Sequence, residues 1–267
     1  MDGILERTSW AVDRIWSVPL RFVRALGEML LLLGRASLWG VRPPYRFGLL
    51  LQAMDFIGVG SISIIALVSL FTGGVFGLQS VEAFRIFNAE AYVGTAVSLT
   101  LTREIAPVIT ALMVAGRAGS AMATEIGSMR ITEQIDALAT LAVNPIQYLV
   151  VPRLLASTIM MPALTLIFNV MGMLGAYIFV VLIKGVDRGI FIYNVRWFTD
   201  LEDLSMGLIK ATVFGLVVAL VGCHQGYHAS GGAKGVGLAT MRTVVISSVS
   251  ILVLDFILTD VLITLGL

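Results

Sequence analysis

Charge is scarce in this sequence. Only 13% of its 267 residues are Asp, Glu, Lys or Arg, whereas a soluble domain keeps about a quarter charged because its surface faces water. Cysteine is nearly absent: Cys223 stands alone, which excludes an internal disulfide framework and a cysteine-based metal site. Histidine is limited to His224 and His228. Their i, i+4 spacing could grip a metal, but the Glu that accompanies such a pair on a metalloprotease helix is missing. They read as residues lining a helix end, and no metal site is expected. A net charge of +1 weighs against a nucleic-acid partner. No paired His/Asp/Glu constellation is spaced for chemistry, so no catalytic residue and no cofactor are expected in this chain. A cleavable signal peptide is not expected either, since residues 1–48 carry seven arginines and no clean apolar segment before a small-residue cleavage site.

Apolar sequence is abundant. Hydrophobic residues make up 58% of the chain and the mean hydropathy is +0.94. A buried soluble strand needs an apolar run of about 4–8 residues, and the runs here are far longer. A helix needs about 20 mainly apolar residues to cross the hydrocarbon core. Five segments qualify: Phe56–Val81, Val93–Ala123, Leu154–Ile183, Leu204–Gln225 and Thr243–Leu265. The second is the least secure by hydropathy, because Arg103, Glu104 and Arg117 interrupt it. The expected fold is therefore an all-α membrane protein with five transmembrane helices.

Orientation follows from the basic residues of short loops, which concentrate on the cytoplasmic side. Segments 1–48, 117–153 and 229–242 hold seven, three and two of them; segments 82–92 and 184–203 hold one and three. Twelve against four places the N-terminus in the cytoplasm and the C-terminus outside, as a multi-pass membrane protein.

Residues 1–48 form a separate region before the membrane-spanning portion, 49–267. Arg7, Arg14, Arg21, Arg35 and Arg42 recur at multiples of seven, with Glu28 filling the gap, so they share a helical face. Leu20, Phe22, Val23, Leu26, Leu30 and Leu33 supply apolar surface, and Trp10, Trp16 and Trp39 suit the headgroup level. This is the pattern of an amphipathic helix lying in the interface, ended by Pro43-Pro44. The alternative is a cytosolic helix packed on a soluble partner.

The stretch 99–153 carries the most information. Ala115, Gly119 and Ala123 recur at four-residue spacing, with Gly116, Ser120 and Thr124 beside them. Small residues on one stripe let helix backbones approach closely, either within the chain or across a dimer seam. Gly73/Gly77 and Gly222/Gly226 repeat the device. From Ser128 to Ala139 the pattern turns polar, with Arg130, Glu133, Gln134 and Asp136 set among Ile131, Ile135 and Leu138, before Pro145 and Pro152 redirect the chain. A short amphipathic helix over about 128–139, held between two spans, needs a partner surface. In transporters driven by separate ATPases, that element docks the motor.

The run REIAPVITALMVAGRAGSAMATEIGSMRITEQIDALATLAVNPIQYLVVPR resembles the MlaE/YrbE permease family of ABC transporters, and GYHASGGAKGVGLATMRTVVISSVSILVLDFILTD is similar to the family's C-terminal region. The resemblance covers residues 10–265. It implies a homodimeric permease joined to two ATPase subunits that use ATP with Mg, and a periplasmic MCE-domain protein oligomer. A small cytoplasmic accessory subunit is a further expectation. The implied function is phospholipid movement between the inner membrane and the MCE partner, in maintenance of outer-membrane lipid asymmetry.

Five charges fall inside the spans: Arg103, Glu104, Lys210, Asp255 and Asp260. Each costs about 2.5–3.5 kcal/mol at a helix centre, so such residues line cavities, pair, or do both. One reading is a polar cavity in the periplasmic half that receives a lipid headgroup. The resemblance points there too, through Glu104, Lys210 and Asp255, with Arg103 alongside. The other reading is structural pairing, for example of Lys210 with Asp255. Asp55 reads as an interface residue at the entrance of the first span. The segment Ser230–Gly237 (SGGAKGVG) lacks the G-x-x-x-x-G-K-[ST] order and the preceding strand of a phosphate loop, and is read as a flexible turn. A rival function, an ion- or proton-coupled secondary transporter, would use the same charges as a relay. Such transporters often carry inverted repeats, and none is found.

Overall fold

The computed structural model describes residues 23–265. The chain divides into two units, Met1–Tyr45 and Arg46–Leu267. In the first, residues 23–40 are helical, with an Arg24–Glu28 pair at 3.0 Å one turn apart. The helix ends before Pro43 and Pro44, as the prolines dictate. Arg7, Arg14, Arg21, Trp10 and Trp16 of the expected amphipathic face lie outside the described residues.

The second unit is all helical among its described residues. Five helices are long and apolar enough to span a membrane: Phe47–Arg85, Glu90–Ile131, Ile146–Ile183, Leu201–Tyr227 and Gly232–Thr264. Four contain the expected segment, the last covers all of its own but Leu265, and the weakest by hydropathy is the longest, at 42 residues. Two shorter helices join them, Gln134–Thr140 and Arg188–Phe198. The second of these was not expected from sequence. It starts where the Asp187 side chain accepts a hydrogen bond from the Ile190 N–H at 2.8 Å, a standard N-cap.

Glycine sets the packing. A Cβ on Gly73 would lie 1.9 Å from the Gly172 carbonyl oxygen, and one on Gly175 would lie 1.9 Å from that of Leu70. First and third spans therefore meet backbone to backbone. The fourth span touches the second, third and fifth, and its Gly222 and Gly226 lie against the Gly119 and Ala123 carbonyls. Ala115, Gly119 and Ala123 are buried by this intramolecular contact, whereas Gly116 and Thr124 remain exposed. At one end, Val81, Val93, Val97, Val180 and Phe191 bury together and tie the Arg188–Phe198 helix to the bundle.

Two boundaries differ from expectation. The second span continues to Ile131, and the short helix begins only at Gln134. Between them Glu133 takes φ 60°, a left-handed conformation that a non-glycine residue adopts singly and that ends a helix. Ser230–Gly237 is not a flexible turn. The last span starts at Gly232, so Lys234 lies in its first turn. Gly231 and Gly232 have positive φ, and a Cβ on Gly235 would meet the Ser230 carbonyl at 1.8 Å.

Candidate functional site

Three spans bring charge together inside the bundle. The second contributes Arg103 and Glu104 from a widened, π-type turn, Leu101–Ile105, where the Ala106 N–H reaches back five residues to the Leu101 carbonyl. The cause is local. Pro107 has no N–H, and its ring crowds the carbonyl four residues earlier, that of Arg103. The same arrangement recurs at Ile146–Val150, two residues before Pro152. Such bulges shift side-chain directions and are frequent at functional sites.

Lys210, from the fourth span, is completely buried. Its ammonium donates to Glu104 Oε2 at 2.7 Å and to Thr259 Oγ1 at 2.7 Å, and it lies 3.1 Å from Asp255 Oδ1. Two of the ammonium's three protons are thus placed on Glu104 and Thr259, while Asp255 Oδ1 lies at ion-pair distance without accepting a hydrogen bond. Thr259 passes its own proton to the Asp255 carbonyl at 2.7 Å. The carboxylates are less buried than the lysine: the side chains of Glu104 and Asp255 are 36% and 21% exposed. The cluster meets its surroundings through these two acidic side chains, although Asp255 Oδ1 itself is buried.

Arg103 does not join this cluster. It pairs with Asp203, whose side chain is almost fully buried. Asp203 also accepts from the Asp200 N–H at 2.8 Å in a capping box. Seven residues separate Asp203 from Lys210, so the two ion pairs lie on one face of the fourth span, about 10 Å apart along its axis. Counted together, Arg103, Asp203, Lys210, Glu104 and Asp255 carry two formal positive and three negative charges. Asp260 is one residue beyond Thr259 and is exposed.

Sequence reading missed Asp203 and Thr259. Both had a legible signal, Thr259 sitting one turn after Asp255 and Asp203 two turns before Lys210 on the same face. Arg117, read only as an inside residue, bonds the first span instead. It donates to the Phe56 carbonyl at 2.8 Å and to Ser61 Oγ at 2.9 Å.

The residues expected to dock a motor gather at the turn after the second span. Arg130 and Asp136 pair at 2.7 Å across it, and Ile135 is buried, which pins the short helix to the bundle. Glu133, Gln134 and Asp136 remain exposed.

A family model, Permease MlaE, matches residues 50–261. The chain belongs to the MlaE permease family. That stretch includes all five spans apart from a few terminal residues, with the charged cluster and the short turn helix. A probable ABC transporter permease protein of Rickettsia typhi is 40% identical over 243 residues, 91% of this chain and 94% of its own. The intermembrane phospholipid transport system permease protein MlaE of Haemophilus influenzae is 40% identical over 258 residues, 91% of this chain and 98% of its own. A chloroplast protein of Arabidopsis thaliana, TRIGALACTOSYLDIACYLGLYCEROL 1, is 36% identical over 210 residues, 79% of this chain and 60% of its own.

Proposed function

We propose that this chain is the permease subunit of an ABC transporter that moves phospholipid between the bacterial inner membrane and a periplasmic MCE-domain partner, in maintenance of outer-membrane lipid asymmetry. The observation that carries the reading is the Glu104–Lys210–Asp255 cluster, set among apolar spans with its carboxylates partly open. Lys210 is held by Glu104 and Thr259 and serves as the internal counter-charge. Glu104 and Asp255 are the groups placed to meet a headgroup, through donors such as an ammonium or a hydroxyl, with Arg103 at the outer edge for phosphate. Family membership and the absence of an inverted repeat favour this over an ion-coupled relay. The permease works as a homodimer with two ATPase subunits, which bind ATP with Mg, and with an MCE oligomer. A small cytoplasmic accessory subunit completes the assembly. Arg130, Glu133, Gln134 and Asp136 form the ATPase-docking surface, the N-terminus is cytoplasmic and the C-terminus periplasmic.

Glu104→Gln and Asp255→Asn test the site. Each keeps the shape and removes one acceptor charge, so co-purified phospholipid should fall while the melting temperature stays near the parent's. Unchanged lipid content and transport in both variants would remove these residues from the site. Docking is tested separately with Glu133→Lys/Asp136→Lys, which should release the ATPase from an intact membrane dimer; full retention of an active ATPase would refute it. For topology, Tyr193→Cys is labelled from one side only. Cys223 is buried and gives little background. Reaction from the cytoplasm would reverse the orientation.

A further inference from the structure

A cavity of about 440 Å³ opens where the start of the first span, the end of the second and the start of the third meet. It lies at the opposite end of the bundle from Asp203, beside the turn that carries the Gln134–Thr140 helix. The first and second spans are 39 and 42 residues long, about twice what the hydrocarbon core requires. The outer turns of these helices, which line the cavity, therefore reach the headgroup level. Leu49, Phe56, Met122 and Met129 make an apolar wall, and Tyr148 and Arg153 face it.

The charge around this cavity is unbalanced. Arg153 is 15% exposed and pairs at 2.7 Å with Glu125, which is 57% exposed. Each of the two aromatic walls carries another arginine: Arg46 lies 4.8 Å over the Tyr148 ring and Arg117 lies 5.2 Å over the Phe56 ring. Neither Arg46 nor Arg117 pairs with a carboxylate among the described residues. Arg46 and Arg117 stand on rings that line the cavity, and Arg153 and Glu125 are the charged residues of the lining itself; with the exposed Asp55 beside Phe56, the surroundings hold three arginines and two acids. The sum is positive with both acids included. Cations at this depth are stable when an anion or water reaches them, and an arginine fork suits phosphate.

We propose that this cavity is a second lipid site, which takes the phosphate-bearing headgroup of a phospholipid from the leaflet on the side of the Gln134–Thr140 helix. Arg153 is its phosphate partner. Burial and a 2.7 Å bond from its Nη1 to the Leu149 carbonyl hold it in place. Glu125, more than half exposed, is free to turn away and leave Nη2 to the phosphate. The apolar wall then covers the glycerol end of the acyl chains. The volume fits a headgroup and its first methylenes, within the range of small-ligand pockets. This site is separate from the Glu104–Lys210–Asp255 cluster, and its chemistry is the inverse: cationic and donor-rich where the cluster offers acceptors.

The test is photo-crosslinking of the full chain in vesicles of phosphatidylethanolamine and phosphatidylglycerol. They carry a trace of phospholipid with a diazirine on the acyl chain next to the glycerol. Adducts should map to the peptides holding Met122 and Met129. Arg153→Gln removes one charge-assisted contact, which predicts about a tenfold lower yield there. Ala53→Trp, which leaves the Arg153–Glu125 pair intact, fills the cavity and should lower it similarly. Adducts on the exposed face around Phe256 serve as the control and should not change. If Arg153→Gln does not fold, the Trp variant decides. Undiminished labelling of the Met122 and Met129 peptides in either folded variant would overturn the proposal. So would equal loss of labelling when inorganic phosphate is added to the parent, because the ligand would then be the free anion. Altered lipid content in Glu104→Gln with normal labelling here leaves the two sites standing apart.

Discussion

Over their most apolar 18 residues the fourth and fifth spans are equally apolar, with mean hydropathy 2.1 in each, yet 56% of one stretch and 11% of the other is buried. Hydropathy recognises that both cross the membrane and says nothing about which is central. What differs is the distribution of glycine. In the fourth span a Cβ on Gly207, Gly215, Gly222 or Gly226 would lie within 3 Å of a neighbouring backbone oxygen, so three helices can close around it. The fifth offers a single narrow stripe, Ala239, Thr243, Ser247 and Ile251, at four-residue spacing. Its other faces, including Val245, Val249, Leu252 and Phe256, stay open. Without a hydrophobic force between helices in lipid, backbone approach decides association.

The sharpest way to break this comparison is to remove the approach. A Cβ on Gly207 would sit 2.3 Å from the Thr102 oxygen, next to the turn that carries Arg103 and Glu104. Gly207→Val should prevent the bundle from closing, with a loss above about 4 kcal/mol. The measurement is the yield of monodisperse protein and its melting temperature. A folded, near-parental Gly207→Val protein would show that packing in the fourth span is not set by backbone contact.

Much of this architecture was legible, and the parts that were not share a cause. The five spans follow from length and composition, and Glu104, Lys210 and Asp255 stood out because each is costly in hydrocarbon. Which charges meet was harder. Lys210 binds Glu104 as well as Asp255 because Pro107 widens the preceding turn, a change of helical phase that a regular periodicity conceals. Asp203 lies in a segment read for its basic residues, and its capping role buries it against Arg103. The end of the second span was placed early because Arg130 looks polar, whereas the break falls at Glu133, a residue with no intrinsic preference for positive φ. The helix Arg188–Phe198 escaped notice because its apolar residues are interleaved with Arg188, Asn194 and Arg196 and bury only Phe191 and Asn194.

Next in size is the charge that the fourth span buries and the fifth half-exposes. Lys210→Met leaves Glu104 and Asp255 facing each other without a cation. Breaking a buried pair costs about 3–5 kcal/mol, and the partial exposure of both acids puts this variant at the lower end. Adding Glu104→Gln and Asp255→Asn should restore most of the lost melting temperature. No recovery in the triple variant would mean that Lys210 stabilises by packing rather than by charge. Thr259→Val is milder. It removes one acceptor of the Lys210 ammonium and keeps the side chain's shape, for a loss of about 1 kcal/mol, read in the same thermal assay.

The smallest effect should come from the open face of the fifth span. Phe256 is 77% exposed, and its ring is left open by the described residues. Surface substitutions away from specific contacts change stability by less than about 0.5 kcal/mol, so Phe256→Ala should melt within that margin of the parent in detergent. The contrast with Gly207→Val tests whether burial, rather than hydropathy, predicts sensitivity in a membrane helix. A second copy packed on this face would give a different result. The loss would then exceed the margin and grow as the protein is diluted, because the substitution would weaken an association whose stability depends on concentration. A concentration-independent loss above the margin would contradict both, and with them the view that the fifth span is held by its Ala239–Ile251 stripe and by the contacts of Asp255 and Thr259 with Lys210.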